Sequence, residues 1–420
     1  MFYTVPNNSF LFTALAILFL CVLPLLTRKT NVIACLYLAA GFFSMFIQAR
    51  TAAITLIACF LFLLLLTKKL RWYWLVMAIL CTITVFSLKP SSTNGRSFIL
   101  NRTLSVIRKH PFGVGAGRFH TAYAEEQRNY FRNNALNSKP ALLAGDVYFA
   151  FNEYLHISVE YGLIAGVLFF LFVVVTVLLG IRKYRKHSFI LPGLICFFGM
   201  SVASLFFYLL HNWYLLALYC ISVLAIYGII FLKKRLYTVI LGAIVPGMGL
   251  IVALESKKEY NFRQQLSEAE RLSFSGYAYA ADSIFQVIPG RYHNRPEYLI
   301  SYGNHKIGSG DYPSALGLVI KAAENYAGYN LFIMLGDVNF KLGRNREAEE
   351  SYLNAVFTMP SKFAGRKKIA DFYRLTGNTM LEKKWLQSII ELPAKIPSGE
   401  VEKIKADATQ RLHLLQTSLP

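Results

Sequence analysis

Eight apolar runs, each close to the length of a bilayer crossing, limit what this chain can become more than any other feature. They lie at approximately 9–27, 31–48, 51–67, 72–88, 157–180, 188–209, 213–232 and 236–254. A helix covers the ~30 Å hydrocarbon core with about 20 apolar residues, and within lipid its backbone must be satisfied inside its own segment. Runs of this kind are expected to be membrane helices. Alternate turns between them are basic. Arg28 and Lys29 follow the first run, and Lys68, Lys69 and Arg71 the third. Arg182, Lys183, Arg185 and Lys186 follow the fifth, and Lys233, Lys234 and Arg235 the seventh. Lys and Arg are retained on the cytoplasmic side of a bilayer. These four turns are therefore expected in the cytoplasm, and both termini, with the long connection 89–156, outside. In a Gram-negative cell that means the periplasmic side of the inner membrane.

Charge, divided along the chain, supports the same reading. The net charge is +21, but residues 1–254 hold 22 Lys and Arg against 5 Asp and Glu, and residues 255–420 hold 22 against 18. A basic surplus set between apolar runs is a topology signal, which argues against nucleic acid as a partner. The six cysteines all fall inside apolar runs, without the spacing of a metal site or a disulfide framework. The first run lacks a basic leader and is followed at once by Arg28 and Lys29, the pattern of a membrane helix rather than of a cleaved signal.

Beyond residue 254 the composition becomes that of a soluble helical array. Gly276, Gly310, Gly343 and Gly377 recur at intervals of 34, 33 and 34 residues, with Ala281, Ala315 and Ala348 five places after the first three. A glycine that adopts the left-handed conformation ends one helix, and a small alanine lets the next pack closely against it. Pro289, Pro360 and Pro393 close successive units. The period resembles the tetratricopeptide repeat. In the fourth unit Glu382 stands where alanine is expected, as in a capping repeat. Such arrays bind partners on a concave face, so residues 255–420 are expected to recruit a protein or to act as a spacer. The fold class that follows is all-α: a polytopic bundle of about eight spans with a C-terminal tetratricopeptide-like solenoid. The expected divisions are 1–88, 89–156, 157–254 and 255–420.

The loop 89–156 carries nine Lys and Arg against Glu125, Glu126, Asp146 and Glu153. Cations outside the membrane run against the orientation rule, and a cluster of them suits an anionic ligand such as pyrophosphate, whose oxygens arginine binds bidentately. Gly95-Arg96 opens a helix expected to run to His110. Pro111-Phe112-Gly113-Val114-Gly115-Ala116-Gly117-Arg118-Phe119 follows; with no strand before it and no acidic residue after it at the right spacing, it is not a dinucleotide fingerprint. Phe151-Asn152-Glu153-Tyr154-Leu155-His156 then leads through Glu160-Tyr161-Gly162 into the fifth run.

The order of these segments, with Arg50-Thr51-Ala52 at an outer helix end, resembles the O-antigen ligase/polymerase superfamily of bacterial membrane glycosyltransferases over roughly residues 1–254. The resemblance implies a donor glycan on undecaprenyl pyrophosphate and a lipid A-core, glycan or protein acceptor, with no metal or other cofactor. It implies that Arg50 and Arg96 hold the diphosphate as it departs, with Arg102, Arg118, Asn152, Gly113 and Gly115 lining the substrate. The family's general base is a histidine immediately before the asparagine of the Asn-x-x-Leu segment. Here that position is Phe151. Glu153 and His156 are the nearest replacements, with His110 and His120 further away. His156 lies about 140° around a helix from Phe151 and would not take its place directly. The family commonly has more spans than eight, so further N-terminal spans are expected to be missing. The alternative to a transferase is a membrane scaffold whose repeats recruit envelope-assembly proteins. A transporter is disfavoured, because the apolar runs contain no acid beyond Glu160 at the start of the fifth.

Overall fold

The protein is described here by a computed structural model that covers residues 8–27, 29–46, 49–87, 90–231, 234–395 and 397–417. Arg28, Lys89 and Lys233 of the charge argument lie outside the described residues. The described residues form helices and connecting turns, without strands. The first nine helices are α1 (Asn8–Leu26), α2 (Thr30–Phe46), α3 (Arg50–Leu66), α4 (Trp72–Ser87), α5 (Pro90–Lys109), α6 (Phe119–Arg132), α7 (Lys139–Leu143), α8 (Glu153–Tyr161) and α9 (Leu163–Tyr184). They continue with α10 (Leu191–Ala203), α11 (Trp213–Phe231), α12 (Lys234–Phe274), α13 (Ala278–Val287), α14 (Pro296–Gly308) and α15 (Tyr312–Ala323). The last are α16 (Tyr329–Lys341), α17 (Asn345–Thr358), α18 (Phe363–Leu375), α19 (Thr379–Glu391) and α20 (Gly399–Thr417).

Each expected crossing is helical. Helices α9, of 22 residues, and α11, of 19, are long and apolar enough to cross a membrane on their own, and shorter apolar helices occupy the other runs up to residue 203. The sixth run departs from a single helix. Expected over 188–209, it is a 3-10 turn at Ser188–Ile190, then α10 of 13 residues, then a second 3-10 turn at Leu209–His211. Where the helix ends, the carbonyl of Ser204 is taken up by the backbone N–H of Glu153 at 2.8 Å. The eighth run is the first half of α12, a helix of 41 residues with Pro246 inside it. The expected boundary at residue 255 thus falls within a continuous helix.

The described chain divides into two compact units. The first comprises residues 1–96, 107–114 and 149–258. Its core is formed by Ile17 and Leu20 of α1, Leu56 and Cys59 of α3, and Leu194, Ile195, Phe197 and Met200 of α10. Small residues let these helices approach: a Cβ on Gly199 would stand 2.8 Å from Leu20 Cδ1 and 3.0 Å from Cys59 Sγ. The opposite faces keep large apolar side chains exposed, among them Ile164, Val167, Leu168 and Leu171 of α9, which suits contact with lipid.

The second unit comprises residues 97–106, 115–148 and 259–420. It contains the repeats. Gly276, Gly310, Gly343 and Gly377 all have φ between 74° and 84°, each in the turn between two helices, as the spacing predicts. Ala281, Ala315 and Ala348 are fully buried behind those turns. Glu382 breaks the pattern because α20 covers it: its carboxylate pairs with Arg411 at 2.6 Å, and Arg411 also reaches Asp371 at 2.6 Å. The middle of the long loop belongs to this unit as well. Phe98, Phe131, Ala141 and Ala144 form one apolar cluster with Phe357 packed against it, and Ala124 joins Ala327, Tyr329, Phe332 and Ala355 in another.

Candidate active site

The site is built in the first unit, from the start of α3, the start of α5, the junction before α8, and the connection between α10 and α11. Arg50 begins α3, is 7% exposed, and donates from Nη1 to Thr93 Oγ1 at 3.0 Å. Thr93 lies three residues before Arg96 on α5, so both fall on one helical face. Arg96 is half-buried with its guanidinium 5.7 Å from the centre of the Phe151 ring. Burial, and then the charge of Arg50, draw its pKa below the usual guanidinium value, though it stays a cation. Two arginines held within each other's field oppose folding and favour an anion. A diphosphate placed here would relieve that repulsion, since each guanidinium forks onto phosphoryl oxygens.

Phe151 is one of two described non-glycine residues with positive φ, at 53°. A bulky side chain in that region costs of order 1–3 kcal/mol, a strain that tends to persist where the surroundings impose it. Asn152 explains why the chain turns here. It caps α8, its Oδ1 accepting from the backbone N–H of Leu155 at 3.0 Å, while Nδ2 donates to the carbonyl of Leu205 at 3.2 Å. Its role in the structure is to start the helix.

Helix α8 then presents Glu153, His156 and Glu160 at i, i+3 and i+7, all on its buried face, with exposures of 1%, 4% and 8%. Opposite them stands His211. Glu153 Oε1 accepts from the backbone N–H of Leu210 at 2.6 Å, and both its oxygens lie 3.3 Å from His211 Nδ1. His211 Nε2 is 3.1 Å from His156 Nε2, which is 3.2 Å from Glu160 Oε1. The tautomers follow from the partners. A carboxylate only accepts, so His211 carries its proton on Nδ1 and offers Nε2 as acceptor to the Nε2–H of His156. Burial, as the largest cause, lowers the pKa of His156, and Glu160 pulls it partly back. The two imidazoles thus lie between two carboxylates, which can balance a positive charge on the pair. An aromatic wall joins this pair to the arginines. Phe149 lies 4.7 Å from His211 and stacks on Tyr208 at 4.3 Å, and Tyr208 meets the Phe151 ring edge-on at 5.6 Å.

The other expected site residues divide. Gly113 is in this unit, at φ 92°, where a Cβ would stand 2.6 Å from both Glu160 O and Gly162 N. Its glycine is a packing requirement: the neighbouring Val114 N–H reaches Val159 O, and Leu163 N–H reaches Pro111 O, each at 2.9 Å. Gly115, Arg102 and Arg118 belong to the second unit. Arg102 lies 3.5 Å from Glu126 and 4.3 Å from the centre of the Tyr130 ring, and Arg118 is exposed at the start of α6. Of the further histidines, His110 is exposed. His120 is buried in the second unit between Tyr148 and Tyr326, its Nδ1 3.0 Å from Val147 O.

Sequence reasoning did not find Thr93, Tyr208 or His211. The signal for His211 was present. The order expected of the base, histidine directly before Asn-x-x-Leu, occurs at His211-Asn212-Trp213-Tyr214-Leu215. Asn212 caps α11 through Tyr214 N–H and Leu215 N–H, as Asn152 caps α8. Among the described residues no group of three or more His, Cys, Asp or Glu is arranged to hold a metal ion.

Comparison with known proteins agrees with the ordered motifs. Residues 9–170 match the model of the family described as O-Antigen ligase. No curated protein matches the chain. Among solved structures, the crystal structure of yeast Tom70 is similar with a TM-score of 0.31 at 10% identity, over 98% of this chain and 89% of that one. The matched segment contains Arg50, Arg96, the Phe151–His156 sequence and the start of α9.

Proposed function

We propose that the protein is a membrane glycosyltransferase that moves a glycan from an undecaprenyl-pyrophosphate carrier to a lipid, glycan or protein hydroxyl at the outer face of the inner membrane. The observation that carries this reading is the meeting of Arg50 and Arg96, through the aromatic wall of Phe151, Tyr208 and Phe149, with the His156–His211 pair in one unit. In the reaction the acceptor oxygen forms a bond to the anomeric carbon, and the bond from that carbon to the diphosphate oxygen breaks. The proton of the hydroxyl passes to the imidazole pair, whose positive charge Glu153 and Glu160 then balance. The diphosphate leaves with its charge held by Arg50 and Arg96.

The test is transfer by the full-length protein in lipid, from a purified lipid-linked glycan to candidate acceptors, together with the surface-glycan ladder of a deletion strain. Loss of both with Arg96→Ala and with His211→Gln supports the reading. Wild-type transfer by either variant refutes the site. The second reading, a scaffold without chemistry, is favoured by Phe151 at the family's histidine position. It is selected if deletion of the gene leaves every surface glycan unchanged.

A further inference from the structure

The repeats hold the middle of the long loop by a series of polar contacts set along its whole length. Gln127 Nε2 donates to Thr358 O at 2.6 Å, and Arg132 donates to Asn354 Oδ1 at 2.8 Å. Arg128 lies over the Phe332 ring at 4.7 Å. Asp146 accepts from the backbone N–H of Tyr329 at 3.2 Å, so a loop carboxylate caps the first turn of α16, where the helix dipole favours it. Tyr148 and Tyr326 share a hydrogen bond of 3.0 Å.

The most telling contact is Arg366 of α18. It is fully buried, yet its guanidinium is met by oxygens that carry no charge. It donates to Pro360 O at 3.0 Å, to Ser388 O at 2.8 Å, and to the loop at Leu136 O and Asn137 Oδ1, each at 2.9 Å; Ser388 Oγ is a further partner. Burial brings its pKa down to about 10. A buried cation costs several kcal/mol of desolvation, offset here by the charge of Glu391 and by every oxygen that meets the guanidinium. Two of its acceptors belong to the loop, and without them the charge would be under-satisfied.

We propose that the face formed by α16, α17 and α18 is an internal receptor for residues 115–148, latched by Arg366, and that its role is to position the Arg96-bearing helix for glycan transfer. The chain path makes the link. Arg96 is followed on α5 by Phe98, which packs against Phe131 of α6, and by Arg102, which faces Glu126 of the same helix. Helix α6 is in turn the element that Thr358, Asn354 and Phe332 grip. The positioning half of this proposal rests on the transferase reading above, whereas the receptor half does not. A partner for the repeats would have to use another face or displace the loop.

The experiment is hydrogen–deuterium exchange on the full-length protein in nanodiscs, comparing wild type with Arg366→Met and, from the loop side, Asn137→Ala. The expected result is exchange roughly tenfold faster across residues 133–147 in Arg366→Met, with a smaller rise in Asn137→Ala and unchanged protection in α14 and α15. Unchanged exchange across 133–147 in both variants would overturn the receptor. If Arg366→Met unprotects the repeats as a whole, Asn137→Ala decides alone, since it leaves the repeat residues intact. Positioning is read from transfer: the expected result is kcat lowered roughly tenfold with KM for the donor little changed. A freed loop with wild-type kcat would overturn positioning while leaving the transferase reading untouched.

Discussion

Two stretches of the chain between α5 and α9 treat charge in opposite ways. In residues 149–160, His156 faces a second imidazole and a carboxylate, groups that can share a proton's charge. In residues 115–148, His120 is sandwiched between Tyr148 and Tyr326, with Arg128 the nearest charge that acts on it, and burial pulls its pKa down to about 4. The arginines divide in the same manner. Arg96 stands beside another cation, while Arg102, Arg132 and Arg366 are met by carboxylate, amide or carbonyl oxygens. A histidine or arginine is therefore not a site residue by type. What distinguishes them is the kind of neighbour: titratable or like-charged groups around Arg96 and His156, aromatic rings or oxygens around His120, Arg102, Arg132 and Arg366.

The largest effect that sharpens this contrast is expected at Arg96. Arg96→Ala should lower kcat for transfer by about 10²–10³, since it removes a donor aimed at the departing diphosphate. Arg102→Ala should cost far less in rate, as it breaks an ion pair inside the loop. Similar losses from both would erase the distinction. Next, His211→Gln or His156→Gln should cost about 10² in kcat, the usual worth of a positioned base. Because burial lowers the pKa of His156, its neutral form persists to a lower pH than an ordinary histidine's. Transfer should hold as pH falls through 6.5 and fail only below it, and a limb above that value would speak against the pair.

His120 gives the opposite kind of pH dependence, one of stability. Its folded pKa of about 4 lies under the unfolded value of 6.5, so the unfolded chain binds the extra proton first. The contribution is complete above pH 6.5 and is lost as pH falls towards 4, by up to about 3 kcal/mol. His120→Phe should flatten that slope in thermal midpoints measured from pH 7 to 4, and a wild-type slope in the variant would show that His120 is not its source. Gly113→Ala should destabilise the first unit by about 2 kcal/mol or more, through its positive φ and the backbone in its path. The smallest effect is expected from Phe151→His. If the His156–His211 pair already supplies the base, restoring a histidine at 151 changes kcat by less than about tenfold. A larger gain would move the base back to that position.

The helical fold was legible because its signals are local: apolar run length for α9 and α11, and left-handed glycines at a 34-residue period for the repeats. The arginine pair was legible in part: Arg50 opens α3, but the helix expected to open at Gly95-Arg96 already includes Pro90, and it is Thr93, on that earlier turn, that meets Arg50. His211 escaped because it sits in a turn between two apolar runs, 55 residues from its partner, and pairing across that distance has no local mark. The break after Ala203 was missed for a related reason: the residues that follow are as apolar as the helix itself, and the groups that take up the carbonyls of Ser204 and Leu205, Glu153 N–H and Asn152 Nδ2, come from far along the chain. The loop's attachment to the repeats was hidden likewise, as Arg366 reads as one more surface charge until its acceptors are seen.

A side chain on Gly113 or on Gly162 would need the room that backbone at or beside the other glycine fills. A Cβ on Gly162 would stand 2.9 Å from Phe112 C, and one on Gly113 would stand 2.6 Å from Glu160 O. Every single-nucleotide missense change of a glycine codon adds at least one carbon. Both positions are thus mutational dead ends, reachable by no neutral step. Natural isolates are expected to vary freely at exposed Arg118 yet keep this interlocked pair fixed, and a viable strain carrying alanine at either place would reveal slack in the backbone that the geometry does not have.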